Sequence, residues 1–155
     1  MGWHWNLNRN QTDLLITLRR FADPDLPQLR RWFGHEAVRK RISAPDANWL
    51  THIRSDNVTC YTICDVTGAM IGFIQVDKDG ADDLWFDMII APWMQNKGIG
   101  TKALQQLCAQ TKSTALCATV EPDNAASIRC LIKSGFMADS APDTDGFRIY
   151  RKTAP

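Results

Sequence analysis

The run LWFDMIIA, residues 84–91, is apolar almost throughout and carries a single charge, Asp87. A continuous apolar run of this length suits a central strand covered on both faces. An ionised carboxylate in such a strand is costly unless it is paired or used, so Asp87 is a candidate general base or anchor for a cation. Soon after it comes QNKGIGTK, residues 95–102, which sets Gly98 and Gly100 where a strand gives way to a helix. A junction of that kind exposes unpaired amides at the positive end of a helix dipole, and glycine lets an anion approach them closely. The chemistry it suits is phosphate binding, with Gln95, Lys97, Thr101 and Lys102 able to add donors. A tight turn capped by glycine is the plainer reading of the same residues. Glu121, at the end of the next strand-like run, is a second acid near the same chemistry, as base or as anchor for a cationic substrate; a surface carboxylate before Pro122 explains it equally well.

The elements that must position these groups are legible from periodicity. LLITLR (14–19) reads as a strand, Asp23-Pro24 opens a helix through DLPQLRRWF, and HEAVRKRI with DANWLTHIRS completes a helical hairpin broken at Ala44-Pro45-Asp46. VTCYTICDV and MIGFIQV are strands joined by a turn at Thr67-Gly68, and DKDGADD leads from them into the run that holds Asp87. TKALQQLCAQTK is a helix whose inner face carries Gly100, Leu104, Leu107, Cys108 and Thr111. A strand ALCATV, a helix NAASIRCLIK stopped at Gly135, and two strands around 136–138 and 146–150 finish the chain. Strands and helices alternate only in the second half, so the expected class is mixed α/β rather than fully parallel.

Composition bounds the rest. The chain has 155 residues, 45% hydrophobic and 23% charged, enough for one domain with a core, here 1–155 with residues 1–13 as a poorly ordered leader. A formal charge of +1 gives no global field for nucleic acid or an anionic membrane. There is no apolar run of membrane-spanning length and no secretory signal, so a cytoplasmic location is expected. Cys60, Cys64, Cys108, Cys117 and Cys130 lie in apolar segments without a C-x-x-C pair and read as reduced core residues; the histidines are scattered, so no metal site is expected.

GIGTKA also fits the G-x-G-x-x-A form of the dinucleotide fingerprint, with Glu121 near the place of a ribose-binding acid. In that fold the strand feeds almost directly into the first glycine, whereas residues 92–97 intervene here, and too little chain follows Glu121 for the remaining βαβ units.

QNKGIG resembles the Q/R-x-x-G-x-G/A loop of the GNAT superfamily of N-acetyltransferases, and PDNAASIRCLIKSGF resembles the family's later helix ending in G-F. Nearly the whole chain, including ITLRRFADPDLPQLRRWF and the pairing of FDMIIAP with GIGTKAL, is similar to the aminoglycoside 6'-N-acetyltransferase branch. The resemblance implies a twisted mixed sheet of about six to seven strands, one of them bulged and splayed, flanked by about four helices. It implies acetyl-coenzyme A as cosubstrate, with its pantetheine arm against Met88, Ile89 and Ile90 and its pyrophosphate on Gln95, Asn96, Lys97, Gly98, Ile99, Gly100 and Thr101. Asn124 would reach the coenzyme from the next crossover. Asp87 matches the branch's aspartate that deprotonates or orients the amine, though IIAPWMQNKG is a residue shorter than the usual spacing.

The usual tyrosine that protonates the leaving thiolate is replaced by Leu131, which leaves Tyr150 or water for that role. On the acceptor side the resemblance implies a pocket lined by the first helical hairpin, with Trp32, His35, Trp85 and, in the acidic loop APDTDG, Asp143 as substrate candidates; Trp49 reads as core filling. Arg39, Lys40 and Arg41 would repel a polycation there, or form a solvated basic face. Three classes follow: a small-molecule amine acetyltransferase, such as one for aminoglycosides conferring antibiotic resistance; a peptide or protein amine acetyltransferase; and a coenzyme-A-binding module without activity. A homodimer is compatible with all three.

Overall fold

Alternating β-branched and aromatic residues draw the chain into β2 (Val58–Cys64) and β3 (Met70–Lys78), joined by a turn in which Asp65 Oδ1 accepts from the Thr67 and Ala69 amides. β1 (Thr17–Arg20) pairs antiparallel with β2, and β4 (Asp83–Ile90) antiparallel with β3. These coordinates are a computed structural model and describe residues 15–79, 82–111 and 115–153, so the expected leader at 1–13 lies outside the described residues.

The second half supplies β5 (Ala115–Val120), β6 (Met137–Ala138) and β7 (Arg148–Thr153). Together they make one seven-stranded mixed sheet of order β1-β2-β3-β4-β5-β7-β6, in which β4 and β5 form the parallel pair. α1 (Leu26–Trp32), α2 (Glu36–Arg39) and α3 (Ala47–Ile53) fill the connection from β1 to β2. α4 (Ile99–Gln110) and α5 (Ala125–Lys133) follow β4 and β5.

The entrance to α1 is fixed differently from the expectation for Asp23. The chain first makes a tight turn over Asp23–Asp25, and it is Asp25 that caps it, accepting from the Ala22 amide at 2.9 Å. Asp25 is buried, takes two bonds of 2.7 Å from the Arg19 guanidinium and accepts from Thr62 Oγ1, so it rivets α1 to β1 and β2. α3 is capped as expected, with Asp46 accepting from the Trp49 amide.

Two apolar clusters lie on opposite faces of the sheet. On one, Ile74, Val76 and Phe86 pack with Ile99, Leu104 and Leu107 of α4 and with Leu131 of α5. On the other, Phe73 and Ile89 pack with Leu29, Trp32, Phe33 and Val38. The alternation of β4 thus sends Phe86 to one side and Ile89 to the other, and Asp87 stands on the side of α1 to α3.

The register between β4 and β5 ends early. Only Asp83, Leu84 and Trp85 find partners, at Ala115, Leu116 and Cys117, after which β5 continues against β7 alone. From Phe86 onward the two strands have parted and leave a wedge. The bulge expected in β4 is not there: its register with β3 runs without a shift from Lys78↔Leu84 to Gly72↔Ile90, and the irregularity in this part of the sheet falls in β2 at Ile63/Cys64. β4 splays because its β5 side loses its partner while its β3 side stays paired.

Candidate active site

The wedge exposes backbone. The Ala91 amide donates to Ile71 O at 2.9 Å, toward β3; by alternation Ile89 also turns its peptide groups that way, and Met88 and Ile90 turn theirs into the wedge. Gln95 Nε2 donating to Ile90 O at 3.3 Å places that carbonyl on the open side. Of the three residues expected to offer an edge, then, Met88 and Ile90 present hydrogen-bonding groups and Ile89 presents a wall.

At the end of the wedge the chain reverses into α4. Asn96 and Gly98 both take left-handed conformations, with φ of 60° and 79°. The first bond into the helix is Lys102 N–H to Gly98 O at 3.2 Å, and no side chain caps the amides before it. A Cβ built on Gly98 would meet nothing within 4 Å, so the turn faces open space. The uncapped amides of the first turn therefore point, with the dipole of a twelve-residue helix behind them, into a cavity.

That cavity has a volume of about 630 Å³. Its lining includes every residue expected to contact a coenzyme except Lys97: Met88, Ile89, Ile90, Gln95, Asn96, Gly98, Ile99, Gly100, Thr101 and Asn124. Asn124 caps α5 through a 3.3 Å bond from the Ser127 amide. Lys40 and Arg41 line the same space from the segment after α2, and Arg129 and Lys133 from α5. Arg41 Nη1 reaches Glu121 and Asp123 at 2.7 Å each, and Lys40 lies 3.5 Å from Asp123, so this segment is clamped across the wedge to the end of β5.

The second cavity, about 230 Å³, opens on the face of α1 to α3 and holds Asp87. Ile42 and Ile89 line both cavities, so the two meet at these side chains. Asp87 keeps access to solvent, yet the apolar walls around it exclude enough water to raise its carboxyl above the ordinary carboxylate range, and the Asp77 carboxylate pushes it the same way. Directly opposite Asp87 in the register stands Gln75, whose Oε1 accepts from Trp49 Nε1–H at 2.8 Å and whose Nε2 donates to Asp77 at 2.9 Å. Asp77 is held in turn by His52.

A family model described as an acetyltransferase (GNAT) domain matches residues 16–137. The chain belongs to the GNAT acetyltransferase family. It is similar to YfmK of Bacillus subtilis (strain 168), described as an uncharacterised N-acetyltransferase: 28% identical over 131 residues, covering 81% of this chain and 88% of that one. Among solved structures, the fold is similar to the aminoglycoside acetyltransferase AAC(6')-Ib with coenzyme A and kanamycin, at a TM-score of 0.75 and 22% identity over 90% of this chain and 95% of that one. It is also similar to spermidine N-acetyltransferase from Vibrio cholerae with coenzyme A and spermine, at a TM-score of 0.73 and 15% identity over 88% and 92% of the two chains.

Within this GNAT fold several expected site residues lie elsewhere. Trp32 is 0% exposed in the core, where its ring meets the exposed Trp93 edge-on, and it cannot touch an acceptor. His35 is an exposed residue ahead of α2, and Trp85 lies nearer the paired end of β4; neither lines either of these two cavities. Asp143 ties its own loop together, accepting from the Asp145 and Phe147 amides at 2.9 Å. Glu121 is taken up by Arg41 and does not reach the pocket of Asp87. Leu131 is core, as its spacing suggested, and Tyr150 is buried in the same cluster, and neither lines the larger cavity. The protic side chains lining that cavity include Thr101, Ser127 and Cys130; burial raises the Cys130 thiol and keeps it protonated. Trp49, read from the sequence as core filling, does pack against the core but also lines the pocket of Asp87, and Gln75 was not singled out. The signal for Trp49 was its Asp46 cap, which fixes α3 and so aims the indole at the sheet.

Proposed function

We propose that the chain transfers the acetyl group of acetyl-coenzyme A to the primary amine of a small molecule, and that Asp87 and the turn at residues 95–101 carry the reaction. The supporting observation is the junction of two cavities at Ile42 and Ile89, one ending at uncapped helix amides and the other at a carboxylate with a raised pKa.

The cavity suits the cosubstrate. The turn at residues 95–101 offers amides and a positive dipole to the diphosphate, while Arg129 and Lys133 add positive charge around a molecule rich in phosphate and Lys40 and Arg41, though paired with Asp123 and Glu121, border the same space. Met88 and Ile90 offer the hydrogen-bonding edge that an extended, amide-bearing arm pairs with as an added strand. Bound there, acetyl-coenzyme A supplies a thioester carbon open to attack by nitrogen.

An amine is cationic at neutral pH and cannot attack until it loses a proton. Asp87 accepts or directs that proton, and its raised pKa brings it closer to the working pH of a general base. The C–N bond forms as the C–S bond breaks, and the proton that the nitrogen sheds on becoming an amide goes to the departing sulfur, giving an acetamide and the coenzyme thiol. Coenzyme thiol is a fair leaving group, so the step does not require a tyrosine at the position of Leu131.

Aminoglycosides and polyamines are specific candidates within the acceptor class, since similar folds bind kanamycin and spermine. The buried Leu131 favours one rival, a coenzyme-binding module without turnover. A thiol-release assay with acetyl-coenzyme A over aminoglycosides, polyamines, simple amines and peptides separates the readings. Thiol released with an amine and lost in Asp87→Asn supports the proposal, whereas coenzyme binding without release from any amine supports the module.

A further inference from the structure

The pocket of Asp87 is narrow in its chemistry. At about 230 Å³ it lies below the roughly 300–1,000 Å³ of sites that enclose drug-sized ligands. Its lining is mainly apolar, with Phe33, Trp49 and Phe73 as its rings and Ser43 and Gln75 as its uncharged polar residues, and among the described residues Asp87 is the one charged group that lines it. The rings are fixed: Trp49 and Phe73 lie 5.9 Å apart, tilted by 58°, and Trp49 meets Phe21 edge-on at 6.3 Å.

The carboxylate and amide nearest Asp87 are already engaged. Trp49 spends its N–H on Gln75, Gln75 spends its amide nitrogen on Asp77, and Asp77 is shared between Gln75 and His52. A second cationic group on the acceptor would enter this pocket without a carboxylate of its own, and an unpaired charge among apolar walls is strongly disfavoured. An aromatic or branched apolar stem would instead pack among Phe33, Trp49 and Phe73 and leave its amine at Asp87.

We infer that the acceptor is a monoamine on a compact stem about the size of an aromatic ring, seated between Phe33, Trp49 and Phe73, and that Trp49 determines this specificity. The inference rests on the proposed acetyl transfer and narrows its acceptor. Phenethylamine, spermidine, kanamycin and a short peptide serve as probes, each titrated with acetyl-coenzyme A while thiol release is followed. Phenethylamine should show a kcat/KM at least about a hundredfold above the other three, because they bring additional charge or bulk. Trp49→Ala should raise its KM about tenfold or more with kcat changed only a few-fold, Trp49→Phe should recover most of that loss, and coenzyme affinity by calorimetry should be the same in all three proteins. A preference for spermidine, kanamycin or the peptide overturns the inference and leaves acetyl transfer standing, as does an unchanged KM in Trp49→Ala. If acetyl-coenzyme A binds and no amine releases thiol, both this inference and the proposed function fall.

Discussion

Gly98 permits a test in which backbone strain and ligand binding come apart. Its φ is 79°, and a methyl group placed there meets nothing within 4 Å, so Gly98→Ala pays for a left-handed residue but not for a clash. Holding alanine in that region costs about 1–2 kcal/mol, offset by about 0.4–1 kcal/mol from the stiffer unfolded chain, for a net loss near 1 kcal/mol. A domain of this size should then lose about 2–4 °C in Tm. Gly68, in the β2–β3 turn, has a φ of 85° and equally open surroundings, so Gly68→Ala should lose the same stability. The two differ in what lies before them. The methyl of Gly98→Ala projects where an anion would approach the amides of α4, and losing one charge-assisted bond costs about 1.5–3 kcal/mol. Calorimetry with coenzyme A should therefore show about ten- to a hundredfold weaker binding for Gly98→Ala and wild-type binding for Gly68→Ala. Equal coenzyme affinity in the two variants would refute the assignment of the turn.

Three further outcomes are expected. Asp87→Asn should lower kcat by about a hundredfold or more with coenzyme affinity unchanged; since burial raises the carboxyl, the acid limb of the wild-type kcat/KM profile should lie above the ordinary carboxylate range and vanish in the variant. The same raised pKa favours the protonated carboxyl in the folded state, so stability measured against Asp87→Asn should be best at low pH and decline as pH rises through the folded value. Asp25→Asn should cost about 2–4 kcal/mol in urea unfolding at neutral pH, toward the lower end because Arg19 is half exposed; Arg19 holds the Asp25 carboxyl below its usual range, so this stability is present above the unfolded pKa and is lost as pH falls through the folded one. Arg41→Ala should raise the KM for acetyl-coenzyme A several-fold, and a double-mutant cycle with Glu121→Gln should give a coupling of about 1 kcal/mol, with zero coupling ruling out a clamp across the wedge.

The strands, their succession along the chain and the glycine turn were legible because local patterns determine them: the apolar run LWFDMIIA sends Phe86 into one core and Ile89 into the other, and glycine takes the left-handed turn at residue 98 without strain. The splay was legible only through family resemblance, and its cause was misplaced, since whether β4 and β5 part after Trp85 depends on pairing between distant segments and leaves no trace in either one. The substrate residues fared worst for the same reason. Trp32 and Trp49 look alike along the chain, and what separates a buried core ring from a pocket wall is the angle at which α1 and α3 meet the sheet. Asp25, which sets the first of those angles, looks like an ordinary surface residue of a helix start until Arg19, Ala22 and Thr62 are seen around it.

The basic run at residues 39–41 shows how tertiary placement reverses an electrostatic argument. Read along the chain, its three cations stand in the hairpin expected to hold the acceptor, and so argue against a polycationic substrate. In the fold, Arg39 donates to the carbonyls of Phe33 and Gly34, while Lys40 and Arg41 line the larger cavity, the one proposed for the coenzyme, and pair with Asp123 and Glu121. On that proposal they face an anionic ligand, and their repulsion would not weigh on the acceptor. On the proposed reading the acceptor is selected by the supply of negative charge on the other side of Ile42 and Ile89: one lining carboxylate among the described residues, with its neighbour Asp77 already engaged by Gln75 and His52. A pocket of that kind gains from one ammonium and loses by a second, so the preference against polycations follows from scarcity of partners rather than from repulsion, and it should persist at high salt, where a repulsive field of exposed cations would be screened.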